Sequence, residues 1–240
     1  MQLNKVTQFA SLGIAVVAIA GCSAPADQEQ YRELRDLAGF TSVSVRSGID
    51  LSIGLGTDYR VEVQSEDDNT VGVQTIVEDS TLVIYVGPGS GRFFGIFPSQ
   101  YSVAVTLPVL ESIAARGGSD VDATTKLTGE HLAVNAFSGS DVDIDIDVDE
   151  LELEVSAGSD IDLSGTAKIA RINIRGGSEL HARDFTGSDV TIQSSGGSDA
   201  ILNVTDRLAA TASGGSDLIY MGNPQTVEVN ASGGSDISHR

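Results

Sequence analysis

The chain has 240 residues, 40% of them hydrophobic but only 5% aromatic, with no Trp, 27 Gly and a formal net charge of −20 at pH 7. This length allows one or two domains with a real core, and the regular recurrence of Val, Ile and Leu excludes a disordered chain. So acidic a surface excludes nucleic acid as a partner, and one Cys excludes both an intramolecular disulfide and a Cys-based metal site.

Residues 1–21 read as a signal peptide. A polar start carrying Lys5 precedes an apolar run from Leu12 to Ala20, too short to span a bilayer comfortably. Small residues then lead into the lone Cys22, and Ile19-Ala20-Gly21-Cys22 resembles the bacterial lipobox. That resemblance implies that Cys22 takes a lipid and becomes the first residue of the mature protein, leaving it with 13 Lys+Arg against 34 Asp+Glu. Ser23 follows, with no Asp to retain the protein at the inner membrane, so the outer membrane is the expected address. Two or three acyl chains suffice for stable anchoring. Residues 22–38 read as a polar tether. Within it Tyr31, Leu34 and Leu37 share one face of a short helix expected over 28–37.

From Phe40 the period changes to two. Ile49, Leu51, Ile53 and Leu55 alternate with polar or small residues, then Tyr59, Val61 and Val63 do the same. Turn residues at 56–58 and 66–69 separate these runs, and 81–86 and 101–107 repeat the theme. Hairpin-connected strands with one buried face are expected over 39–110. Between them, residues 86–100 are rich in Gly and Pro and hold Phe93, Phe94 and Phe97, three of the seven Phe in the chain. Such a loop is either a contact for a partner or membrane surface, or a plug for an open end of the fold.

Residues 111–236 are self-similar. Gly-Ser followed by an acid recurs with the acid at Asp120, Asp141, Asp160, Glu179, Asp199, Asp217 and Asp236, spaced by 21, 19, 19, 20, 18 and 19 residues. Each unit holds two alternating runs, such as Val142, Ile144, Ile146 and then Leu151, Leu153, Val155. A two-strand unit cannot bury its apolar face alone, so neighbours must stack. The expected fold is all-β: a parallel β-helix with coils of about 19–20 residues, right-handed by the crossover preference. Gly supplies the sharp corner. Alternation then sends Ser inward and the acid outward, building a hydroxyl ladder inside and a carboxylate ladder outside.

The acids either accept turn N–H groups or bind cations, calcium being the natural candidate for an oxygen-rich face. Asp122, Asp143, Asp162, Asp145 and Asp147 widen that face. The second Gly-x-Asp step of the nine-residue calcium repeat is missing. Residues 237–240 leave the last coil unfinished, and a second subunit is expected to cover that edge.

In order, lipobox, tether, Phe40-x-x-Val43-x-Val45, Gly48-Ile49-Asp50-Leu51-x-Ile53, Val105-Thr106-Leu107-Pro108-x-Leu110 and the serial Gly-Ser-Asp are similar to the DUF2807 family, known as the head GIN domain. The resemblance covers roughly 39–236. It implies a β-helical fold, an envelope location and an adhesin label, itself inferred from architecture. It brings no catalytic residues. This chain departs from the family in using Asp where Gly or Asn often stands.

An enzyme is not expected. Ser and Asp recur as a lattice, whereas catalysis needs unique convergent groups. His131, His181 and His239 are scattered, and Arg171, Arg175 and Arg183 near the acids are the closest approach to a polysaccharide-processing face. The expected function is a lipid-anchored, adhesin-like or ligand-binding envelope protein with a glycan or protein partner. The alternatives are a self-associating envelope scaffold, or a protein that binds divalent cations or polysaccharide.

Overall fold

The computed structural model describes residues 31–65, 70–87 and 101–240. Expectations for 1–30, for the turn at 66–69 and for most of the Phe-bearing loop lie outside the described residues. The chain begins with β1 (Tyr31–Arg35), β2 (Ser42–Arg46), β3 (Asp50–Leu55) and β4 (Arg60–Ser65). A single 3₁₀ turn (Thr70–Gly72) leads into β5 (Val73–Glu78) and β6 (Thr81–Val86), then β7 (Tyr101–Leu107), β8 (Ser112–Arg116) and β9 (Val121–Ala123). The repeat region forms β10 (Leu127–Phe137), β11 (Asp141–Ser156), β12 (Asp160–Arg175), β13 (Glu179–Ser195) and β14 (Asp199–Ser213). It closes with β15 (Asp217–Gly222), β16 (Thr226–Ser232) and β17 (Asp236–His239).

The expected β-solenoid is what these strands build. β10 to β14 stack in parallel, each in register with the next: Val142 faces Ile161, Leu153 faces Ile172, and Ile172 faces Ile192. Each strand from β11 to β14 runs along one face, turns, and continues along a second. Val142, Ile144, Ile146, Leu151, Leu153 and Val155 of one coil are buried between the two faces. Full burial stabilises each such side chain by roughly 1.5–3 kcal/mol, and stacking lets neighbouring coils share one core. That core runs without a break from Phe40 to Leu218.

The stack starts earlier in the sequence than the triplets do. β2 lies parallel between β6 and β8, and β3 lies parallel between β7 and β9. The end of the rod near β1 is finished with antiparallel strands, β4 on β7, β1 on β4 and β5 on β6. Of these, β5 and β6 are chain neighbours joined by a two-residue turn at Asp79-Ser80, both at positive φ (46° and 63°). Positive φ at both central positions matches the twist of a hairpin.

The helix expected over 28–37 is not formed; its described part is β1. Tyr31, Leu34 and Leu37 share no buried face, and Leu34 is 60% exposed. Glu33 and Arg35 turn inward instead, pair with each other and bond Thr70. An isolated amphipathic helix of this length is marginal, whereas β4 offers an edge whose N–H and C=O groups β1 satisfies over five residue pairs.

Candidate functional site

The repeated corner is the most distinctive chemistry of the chain. Two residues at positive φ precede each Ser, for example Gly176 (72°) and Gly177 (71°). They turn the chain and set the Ser side chain inward. Ser119, Ser140, Ser159, Ser178, Ser198 and Ser216 are all completely buried.

Each hydroxyl accepts a hydrogen bond from the backbone N–H at the matching corner of the preceding coil, a Ser N–H in every case but the first. Ser119 N–H donates to Ser140 Oγ (3.2 Å), Ser140 to Ser159 (3.1 Å), Ser159 to Ser178 (3.2 Å) and Ser178 to Ser198 (3.3 Å). The series continues through Ser198 to Ser216 (3.1 Å) and Ser216 to Ser235 (2.9 Å). Its first rung is missing from the triplet count. Ile49 N–H donates to Ser119 Oγ (3.2 Å) across 70 residues. Ser47-Gly48-Ile49-Asp50 is therefore an eighth corner, hidden because Ile49 stands where the others have Ser. The signal for it was Gly48 followed by an acid and an alternating run.

The predicted acids Asp120, Asp141, Asp160, Glu179, Asp199, Asp217 and Asp236 are all exposed, one per coil, in one column. Asp160 accepts the Glu179 N–H (3.2 Å) and Asp199 accepts the Asp217 N–H (3.3 Å), so part of the column caps the next coil. At its start, partial burial and then the negative charge of Asp122 raise the Asp50 carboxyl above its ordinary range. Asp120 is raised in the same way, by partial burial first, then by Asp141, Asp50 and Asp122, against a lowering bond from the Asp141 N–H.

Three of the widening acids, Asp162, Asp145 and Asp147, meet partners within the chain. In the second column, Asp122, Asp143 and Asp162 are followed by His181, whose ring nitrogens lie 3.4 Å from Asp162 and 3.2 Å from Glu179. Lys126 reaches Asp145 (2.9 Å), and Thr166 donates to Asp147 (2.9 Å). Among the described residues, no three His, Cys, Asp or Glu side chains converge as a metal centre would require. His131 is exposed beside the Glu150 position, and His239 stacks on Tyr220 with ring centroids 4.8 Å apart. Arg171 and Arg175 pair with Glu150 and Glu154 on the second face. Cys22, Phe93, Phe94 and Phe97 lie outside the described residues.

The second face changes character along the rod. Its earlier coils carry Glu152, Glu154, Arg171 and Arg175. The last three coils present Thr191, Ala209 and Glu228 in one column, Gln193, Thr211 and Asn230 in the next, and Ser195, Ser213 and Ser232 in a third. Glu228 is the one charge in these three columns, and beside them Arg207 lies 3.2 Å from Asp189 and 3.9 Å from Glu228. On so acidic a chain this patch is an almost neutral surface of hydroxyls and amides. Near β1 an open recess of about 650 Å³ is lined by Leu34, Arg35, Asp58, Tyr59, Arg60 and Thr106.

Residues 39–224 match the model of the DUF2807 family, described as "Putative auto-transporter adhesin, head GIN domain". Among solved structures, the chain is similar to a putative adhesin from Bacteroides fragilis, with a TM-score of 0.79 and 21% identity over 89% of this chain and 98% of that one. It is also similar to a putative adhesin from Parabacteroides merdae (TM-score 0.69, 20% identity, 88% and 96% covered). A third is a putative lipid binding protein from Parabacteroides distasonis (TM-score 0.68, 16% identity, 88% and 96% covered). At these identities the likeness is one of fold. No curated protein matches the chain.

Proposed function

The chain belongs to the DUF2807 family, and on that premise we propose that it is a non-enzymatic, lipid-anchored envelope protein, an adhesin-like rod that presents its later coils to a ligand. The observation that carries this reading is the position of β1. Among the described strands it is the outermost at one end of the rod, nine residues after Cys22, a stretch that spans at most about 30 Å. Anchored there, the solenoid projects its repeat coils away from the membrane. Tyr31, Ser65 and Tyr101 occupy one row across β1, β4 and β7, so the Phe-bearing loop rejoins the fold two strands from the tether. This supports the reading in which Phe93, Phe94 and Phe97 meet the same membrane.

The contact face we assign is the neutral patch of the last three coils. Its in-register hydroxyls and amides suit a ligand rich in hydroxyls, such as a neutral glycan, more than a charged one. Treatment of intact cells with an external protease tests the central claim. Cleavage of the protein, with lipid labelling lost in Cys22→Ser, is the expected result. Complete protection in intact cells and digestion only after lysis would overturn the adhesin-like reading.

A further inference from the structure

The coil farthest from β1 has a free edge. Among the described strands β16 pairs only with β14, and β17 only with β15. In β16, Val227, Val229 and Ala231 stand at the core positions that Leu208, Ala210 and Ala212 fill one coil earlier. Those earlier residues are buried (0%, 3% and 0% exposed), whereas Val227 is 41% and Val229 50% exposed. A row of apolar side chains and unpaired backbone groups is a template for one more strand.

The sequence of this edge identifies the strand that fits. Val227-Glu228-Val229-Asn230-Ala231 alternates symmetrically about Val229. If the same edge meets it antiparallel with Val229 on a two-fold axis, Val227 faces the other copy's Ala231 and the core stays apolar. Glu228 then faces Asn230, an acceptor opposite a donor, and no carboxylate meets its like. In the second edge strand, Asp236 stands at the start and Arg240 directly follows the end, its N–H bonded to the Tyr220 carbonyl (3.0 Å), so antiparallel pairing about Ser238 brings these two charges together and sets Ile237 opposite His239. At the opposite end, the core-facing residues Val61, Val63 and Val73 are covered (1%, 0% and 0% exposed).

We propose that the outer edge of β16 and β17 is the docking surface for the same edge of a second copy, joined tail to tail about a two-fold axis through Val229. The self-complementary contact is of the isologous type.

A disulfide trap tests this in the full chain carrying Cys22→Ser, so that the engineered thiol is the only one and lipidation plays no part. Opposed Cα atoms across such an axis lie about 4.5–5.5 Å apart, within the span a disulfide bridges, so Val229→Cys can oxidise to a covalent dimer. Val109→Cys, at a position 53% exposed near the other end, is the control and is expected to stay monomeric on a non-reducing gel. Adding Asn230→Glu sets like charges opposite Glu228 and is expected to cut cross-linking about fivefold, and further adding Glu228→Lys to restore it. Far-UV spectra of all variants confirm that the fold is kept. Equal cross-linking at positions 229 and 109, or none at 229, would overturn the proposal, as would a charge pair without effect. A different partner or a further segment on this edge would give the second of these outcomes.

Discussion

At the scale of single residues, the corner depends on two devices, a buried hydroxyl and a left-handed backbone. Ser159 is the acceptor for Ser140 N–H inside a dry stack. Ser159→Ala leaves that N–H buried and unpaired, which costs about 1–3 kcal/mol and is measured as a lowered urea midpoint. Glycines in this fold are not equivalent. Gly158 has φ +69° and no atom within 4 Å of a built Cβ, so Gly158→Ala costs only the left-handed strain, roughly 1–2 kcal/mol. Gly165 has φ +99°, and a Cβ there would lie 1.9 Å from the Ile146 carbonyl oxygen. Gly165→Ala is therefore expected to cost about 3 kcal/mol or more, since backbone of the neighbouring coil must move. Similar unfolding midpoints for the two variants would contradict this account of coil spacing.

At the scale of elements, the carboxylate column has a pH signature. Asp50 and Asp120 have native values raised above the ordinary 3.8, so the folded chain binds their protons more tightly than the unfolded chain. Their contribution favours folding while they are protonated and is lost as pH rises from about 3.8 through the raised native values. Asp120→Asn keeps an oxygen for the Asp141 N–H but removes the charge. It is expected to raise the melting midpoint at pH 7 and to leave it unchanged below pH 3, where both carboxyls are neutral in either state. The same column explains what was legible in the sequence. Seven triplets at coil spacing announce parallel stacking, because each needs a neighbour at its own height. The eighth corner escaped notice because Ile49 replaces the marker Ser and its stacking partner Ser119 lies 70 residues away, beyond an insertion of antiparallel strands. β1 escaped because Tyr31, Leu34 and Leu37 are spaced like a helix face. What decides its conformation is the free edge of β4, which no local pattern in residues 28–37 encodes. The neutral patch was hidden too. Thr191, Thr211 and Asn230 are unremarkable until register places their coils side by side.

At the scale of the whole molecule, charge and geometry act together. With a net charge of −20, the rod repels itself, and added NaCl is expected to raise its melting midpoint by screening. Calcium at matched ionic strength is expected to add nothing, since Asp160 and Asp199 of the column already accept backbone N–H groups and no three acids converge among the described residues. A further rise with calcium, reversed by chelator, would instead assign the column to cation binding. The coil-to-coil hydrogen bonds, from the Ser rungs to the strand ladders, point along the axis of the rod. If the molecule is held as proposed, by a tether at one end and a ligand at the other, it is loaded along that axis, and its bonds are expected to open in zipper fashion, coil after coil. Each coil released frees about 19 residues and so adds about 60 Å of extended chain. Single-molecule pulling is expected to record a train of such steps, where simultaneous rupture of all coils would give one. On the proposed arrangement the regular stack is expected to act as an extensible link, giving way by increments under tension and re-forming by stacking the freed coil on the one still in place.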